Sequence, residues 1–121
     1  MQAVVVGDFV ARRSRNEQKR RAFESLLNED VTVRIHVRPT IATLPTRVKQ
    51  KPAIVLDFKD TEEETTYKDL VVTASGIEAK LWFGGLDYNA HIPWSSVYAI
   101  ETLDDPRWSV WDEDAPEECN I

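Results

Sequence analysis

The amino-acid sequence predicts a mainly β chain of the α+β class, with one N-terminal helix followed by a small, strongly bent antiparallel β-barrel. Three features carry that expectation. Apolar residues recur at three- and four-residue spacing as far as Leu27, the spacing drops to two from Val31, and short branched runs from there to Glu101 are broken repeatedly by glycine and proline. One helix ahead of short sequential strands, with turn residues at the bends, points to a curled antiparallel sheet.

The 121 residues suit a single domain built on one core. Its expected parts are an N-terminal extension at 1–13, a domain at 14–111 comprising a helix at 14–28 and a barrel at 31–101, and an acidic tail at 112–121 whose last residues are loose.

Ser14-Arg15-Asn16-Glu17 has the form of a capping box, in which the serine hydroxyl accepts from the Glu17 amide and the glutamate reaches back, so the helix is expected to start there. Ala22, Phe23, Leu26 and Leu27 then form its apolar stripe. Val31, Val33, Ile35 and Val37 alternate with Thr32, Arg34, His36 and Arg38, which is the pattern of a half-buried strand. Pro39, Pro45 and Pro52 punctuate the next stretch, so a loop-rich crossing is expected over 41–48. Ala53 to Phe58 reads as a short strand, and Lys59 to Lys68 as a solvated acidic loop.

Asp69 to Ala74 and Ile77 to Phe83 flank Ser75-Gly76 and form the clearest hairpin. In its second strand Ile77, Ala79, Leu81 and Phe83 share one face, while Trp82 lies on the other as an exposed aromatic. Leu86 to Ile92 follows Gly84-Gly85, a turn at Pro93-Trp94-Ser95-Ser96 comes next, and Val97 to Glu101 is the last strand. Beyond Asp104 periodicity is lost, although Trp108, Val110 and Trp111 are apolar enough to dock on the barrel.

The formal net charge is −6. That balance argues against a dedicated nucleic-acid binder, whose affinity rests on displacing counterions from phosphate. The distribution is lopsided: Arg12, Arg13, Arg15, Lys19, Arg20 and Arg21 form a basic cluster read as a solvated helix face, and Glu62 to Glu64 and Asp112 to Glu118 are acidic. The apolar run Val4 to Val6 is too short for a secretory signal, and one cysteine, Cys119, allows no internal disulfide, so a cytoplasmic setting is expected. His36, His91 and Cys119 lack the spacing of a metal-ligand set. With no Gly-x-Ser-x-Gly elbow, Ser95 and Ser96 read as turn residues, and neither catalysis nor a cofactor is expected.

Several strings carry a resemblance. They are Arg21-Ala22-Phe23 with Leu26-Leu27, Pro52-Ala53-Ile54-Val55-Leu56, Phe83-Gly84-Gly85-Leu86, and Ile92-Pro93-Trp94-Ser95-Ser96-Val97-Tyr98-Ala99-Ile100. In that order, from Ser14 through Trp111, they resemble the stringent starvation protein B (SspB) family, adaptors that feed substrates to the ClpXP protease. The resemblance implies an Sm-like barrel behind the helix, a homodimer paired through Phe23, Leu26 and Leu27, and a groove that binds ssrA-type degradation tags. Phe83, Gly84, Gly85 and His91 would line that groove, with Val55, Leu56 and Asp57 on the facing strand and Trp82 as an anchor. Family members also end in a tail motif that docks on ClpX, and Glu118-Cys119-Asn120-Ile121 carries no such basic-apolar motif.

A peptide groove is physically reasonable, because bent barrel strands leave backbone groups and apolar side chains open to an extended segment. Trp82 and Trp94 are each either binding anchors or core caps. Two other readings stand beside the adaptor: an Sm-like barrel binding single-stranded RNA through Arg12 to Arg21 and exposed tryptophans, and a plain interaction subunit whose acidic tail meets a basic partner.

Overall fold

The computed structural model describes residues 2–116, with side chains from residue 11 onward; Cys119 and the end of the acidic tail lie outside the described residues. The chain opens with helix α1 (Gln2–Leu27), whose 26 residues span about 39 Å at the usual rise. This helix starts well before Ser14, so Ser14 to Glu17 lie in its interior and cannot cap it. It also runs unbroken across the boundary expected between residues 13 and 14. The capping-box signature is local, and a helix already propagating from upstream overrides it.

After α1 come β1 (Val33–Val37), a 3₁₀ turn (Pro39–Ile41), the short helix α2 (Thr46–Lys49), β2 (Ile54–Phe58), β3 (Tyr67–Val72), β4 (Gly76–Phe83), β5 (Leu86–Pro93), a second 3₁₀ turn (Trp94–Ser96), β6 (Val97–Thr102), β7 (Trp108–Val110) and a third 3₁₀ turn (Asp112–Asp114). The architecture is thus α+β, one N-terminal helix followed by antiparallel strands. They form two sheets, a four-stranded one in the order β2-β1-β6-β7 and a three-stranded one in the order β3-β4-β5. Among the described residues no ladder closes these sheets into a ring. The loop after β2 folds back on itself through an Asp60–Thr65 bridge before β3 begins, which separates β2 from β3. Proline 93 and the 3₁₀ turn after it separate β5 from β6 in the same way.

The core lies between the two sheets and α1. Val33, Ile35 and Val37 are wholly buried, as their alternation predicts, and face Ile77, Ala79, Leu81, Ala90 and Ile92 of the second sheet. Phe23 drops from α1 into this space, its ring edge-on to Phe58 at 5.1 Å and to Trp94 at 5.9 Å. Gly76 is needed where β4 meets β5, because a β-carbon there would collide with the Ile92 carbonyl. Tyr98 forms a bulge in β6, where the register against β1 shifts between His36 and Val37.

Two further features depart from the sequence reading. Lys19 is not solvated: it is fully buried, and its Nζ donates to the Trp94 carbonyl at 2.9 Å and to Asp114 Oδ2 at 2.6 Å. Burial pushes the Lys19 ammonium below its ordinary pKa, and Asp114 opposes that push. Arg15 also reaches Asp114, at 3.3 Å, so the C-terminal 3₁₀ turn is clasped to α1. The second departure is β7, which pairs Ala99, Ile100 and Glu101 with Val110, Ser109 and Trp108. Among the described residues no helix is long and apolar enough to cross a membrane.

Candidate functional site

Strand β2 stands at the edge of its sheet, so one side of its backbone has no ladder partner. Across from it, β4 outruns β3: Tyr67 at the start of β3 pairs with Leu81, leaving Trp82 and Phe83 beyond the end of that ladder. Val55, Leu56 and Asp57 face Leu81, Trp82 and Phe83 across an open groove of about 530 Å³, whose third wall is Glu64, Thr65 and Thr66.

The local chain explains the opening. Thr66 Oγ1 donates to the Asp57 carbonyl at 2.7 Å and accepts from the Lys59 amide at 2.9 Å, which pins the loop to the end of β2. The Asp57 carbonyl therefore points away from β1. Alternation along an antiparallel strand turns the Val55 N–H and C=O the same way. The loop stops short of Val55, so that stretch of edge stays open for main-chain pairing.

The lining is apolar at its centre and acidic at one end. Trp82 is 67% exposed and Val55 48%, both high for large apolar side chains on strands. Leu56 and Phe83 are half-buried, and Phe83 stacks edge-on against Tyr88 at 6.2 Å. Asp57 is held by a two-pronged pair with Arg34, at 2.7 and 3.0 Å, and that hydrogen bonding raises the Arg34 pKa. Glu64 has Lys59 at 3.3 Å.

Of the residues singled out from the sequence, Val55, Leu56, Asp57, Trp82 and Phe83 thus come together. Gly84 and Gly85 do not line the groove. Both have positive φ, 56° and 94°, and they form the two-residue turn between Phe83 and Leu86 that a type I′ hairpin requires. Gly84 also lies against the Arg47 guanidinium, which would have to move aside for a β-carbon. His91 is elsewhere: it sits on β5, its backbone pairs with Thr43, and its Nδ1 is 3.9 Å from Glu78. Because β4 intervenes between β5 and β3, His91 is on the far edge of the second sheet from the groove.

Phe23, expected at a dimer interface, is instead a core residue of its own chain, and Leu26 and Leu27 are half-buried against that core. Their stripe faces the sheets because those supply the nearest apolar surface. Trp94 is also core, fully buried with its Nε1 donating to the Thr73 carbonyl at 2.9 Å. Sequence reasoning missed Glu64, Thr65 and Thr66, which it left in a solvated loop, and Leu81, which it placed on one strand face with Ile77, Ala79 and Phe83 without assigning it to the groove. The paired threonines before a strand were the available signal, since a short hydroxyl side chain readily bonds nearby backbone.

No protein-family model matches the chain, and no match is found among curated proteins.

Proposed function

We propose that this protein is a peptide-binding adaptor that captures unstructured degradation tags in the groove between β2 and β4. One observation carries the reading: five residues nominated from the sequence, on strands of two different sheets, meet across an apolar furrow with a free backbone edge. An extended segment there gains main-chain hydrogen bonds from the β2 edge and side-chain burial against Trp82 and Val55. On the resemblance to the SspB family, the two sheets are the halves of an Sm-like barrel, the tags are ssrA-like, and delivery is to ClpXP. Capture of this kind works by raising the local concentration of a tagged protein beside its unfolding ATPase.

Fluorescence anisotropy with a labelled ssrA-type peptide, at up to about millimolar protein, tests this against an unrelated peptide of equal charge. Selective binding is expected. Equal and negligible binding of both peptides removes the ssrA-tag reading.

A further inference from the structure

The hydrogen bonds between β1 and β6 determine which backbone groups β2 leaves open. The Arg38 amide donates to the Ser96 carbonyl at 2.8 Å and the Leu103 amide to the Thr32 carbonyl at 3.4 Å, so even-numbered residues along β1 turn their backbone groups toward β6 and odd-numbered ones toward β2. In the register Val33↔Phe58, Ile35↔Leu56 and Val37↔Ile54, the bonds of β2 therefore fall on Ile54, Leu56 and Phe58, and Val55 and Asp57 face outward. Thr66 Oγ1 takes the Asp57 carbonyl at 2.7 Å. Three outward groups of β2 remain without a partner among the described residues: the Val55 N–H, the Val55 carbonyl and the Asp57 N–H, in the order donor, acceptor, donor.

We infer that the groove takes an extended segment running parallel to β2, of the form apolar–any–apolar. This direction and ligand class rest on the groove reading above. In a parallel pair each residue bonds to the two neighbours of the residue beside it. The ligand residue before the one beside Val55 accepts from the Val55 N–H; the residue after it donates to the Val55 carbonyl and accepts from the Asp57 N–H. All three open groups are met, and no ligand donor faces the carbonyl that Thr66 holds. An antiparallel segment bonds Val55 through its central residue alone. The residue two places earlier, opposite Asp57, then has its N–H aimed at the occupied carbonyl, and a donor desolvated without an acceptor costs at least what a made bond gains. Alternation sends the central side chain out beside Val55 and Trp82, and both flanking ones inward over Leu56, Leu81 and Phe83.

The test places a nitroxide on one or the other end of the ssrA-type peptide and follows the ¹⁵N amide signals of the full chain. The C-terminal label is expected to broaden Asp60, Thr65 and Thr66 most, and the N-terminal label Ala53 and Ile54. Serine substitution along the peptide, read by anisotropy, should cost about tenfold at two positions separated by one tolerant position. Proline at that tolerant position should keep affinity within about twofold, because the central N–H points away from β2, whereas an antiparallel segment needs that N–H and would lose about tenfold. Reversed broadening, loss of binding with the central proline, or sensitive positions that are adjacent or single overturns the inference but leaves the groove standing. If the unmodified peptide does not bind, the groove reading falls and takes the inference with it.

Discussion

Truncating Trp82 to alanine removes the most exposed wall of the groove without touching the core. Tryptophan buries up to about 250 Å² when fully covered, and Trp82 holds 67% of its surface in solvent in the free protein. A peptide covering about half of that exposed surface removes about 80 Å² of it from water, worth about 2 kcal/mol, or roughly thirtyfold in Kd. Folding stability should change by no more than about 1 kcal/mol, since the side chain makes little contact inside the molecule. Leu81→Ala is the instructive contrast: Leu81 is buried, so its truncation is expected to cost about 2–5 kcal/mol of stability and would confuse lost binding with lost fold. Anisotropy for binding and a urea melt for stability, run on Trp82→Ala, separate the two quantities. Unchanged affinity, for a peptide the native chain binds, refutes the assignment of β4 as a groove wall.

Other consequences concern the scaffold. Asp114→Ala strands the Lys19 ammonium in the interior with the Trp94 carbonyl and, at 5.7 Å, the Trp111 ring but no carboxylate hydrogen-bonded to it, and should cost about 3 kcal/mol in urea unfolding; a loss under about 0.5 kcal/mol would mean that the clasp does not form. Hydrogen bonding to Arg107 lowers the Glu29 pKa from its ordinary 4.5, so the folded state holds that proton more weakly than the unfolded chain does. The stabilisation is therefore present above about pH 4.5 and lost as pH falls through the lowered value; Glu29→Gln should unfold earlier than the native chain near neutrality and converge with it in acid. Gly76→Ala should force β4 and β5 apart at the Ile92 carbonyl and lower stability by about 2 kcal/mol, measured by thermal melting.

The strand interiors were readable because one face of each is buried. Val33, Ile35 and Val37 point inward and Trp82 outward in agreement with a period of two, and β3 and β4 pair as the expected hairpin, although β3 starts at Tyr67, its register shifts before Val71, and Gly76 opens β4 and does not turn the chain with a positive φ. What the chain hides are the features created by distant partners. Strand β7 spans only Trp108–Val110, too short to show a period, and exists because β6 offers an edge. Lys19 looks like one more cation on a basic helix until Asp114, nearly a hundred positions away, arrives beside it. The start of α1 was masked by a capping signature that is locally persuasive at Ser14. For the groove, the facing strands were nominated by resemblance, but the glycines and His91 did not follow, because hairpin geometry needs the former in the turn and β4 separates the latter from β2. The acidic wall escaped notice since a loop rich in Glu and Thr reads simply as solvated.

The most direct test is residue-resolved: backbone amide shifts of ¹⁵N-labelled protein during titration with the ssrA-type peptide. The account predicts that the largest shifts cluster at Val55 to Asp57, Thr65, Thr66 and Leu81 to Phe83, strands that touch in no ladder and share only the groove. Shifts confined to the β7 edge, to α1, or to the His91 side of the second sheet would contradict it.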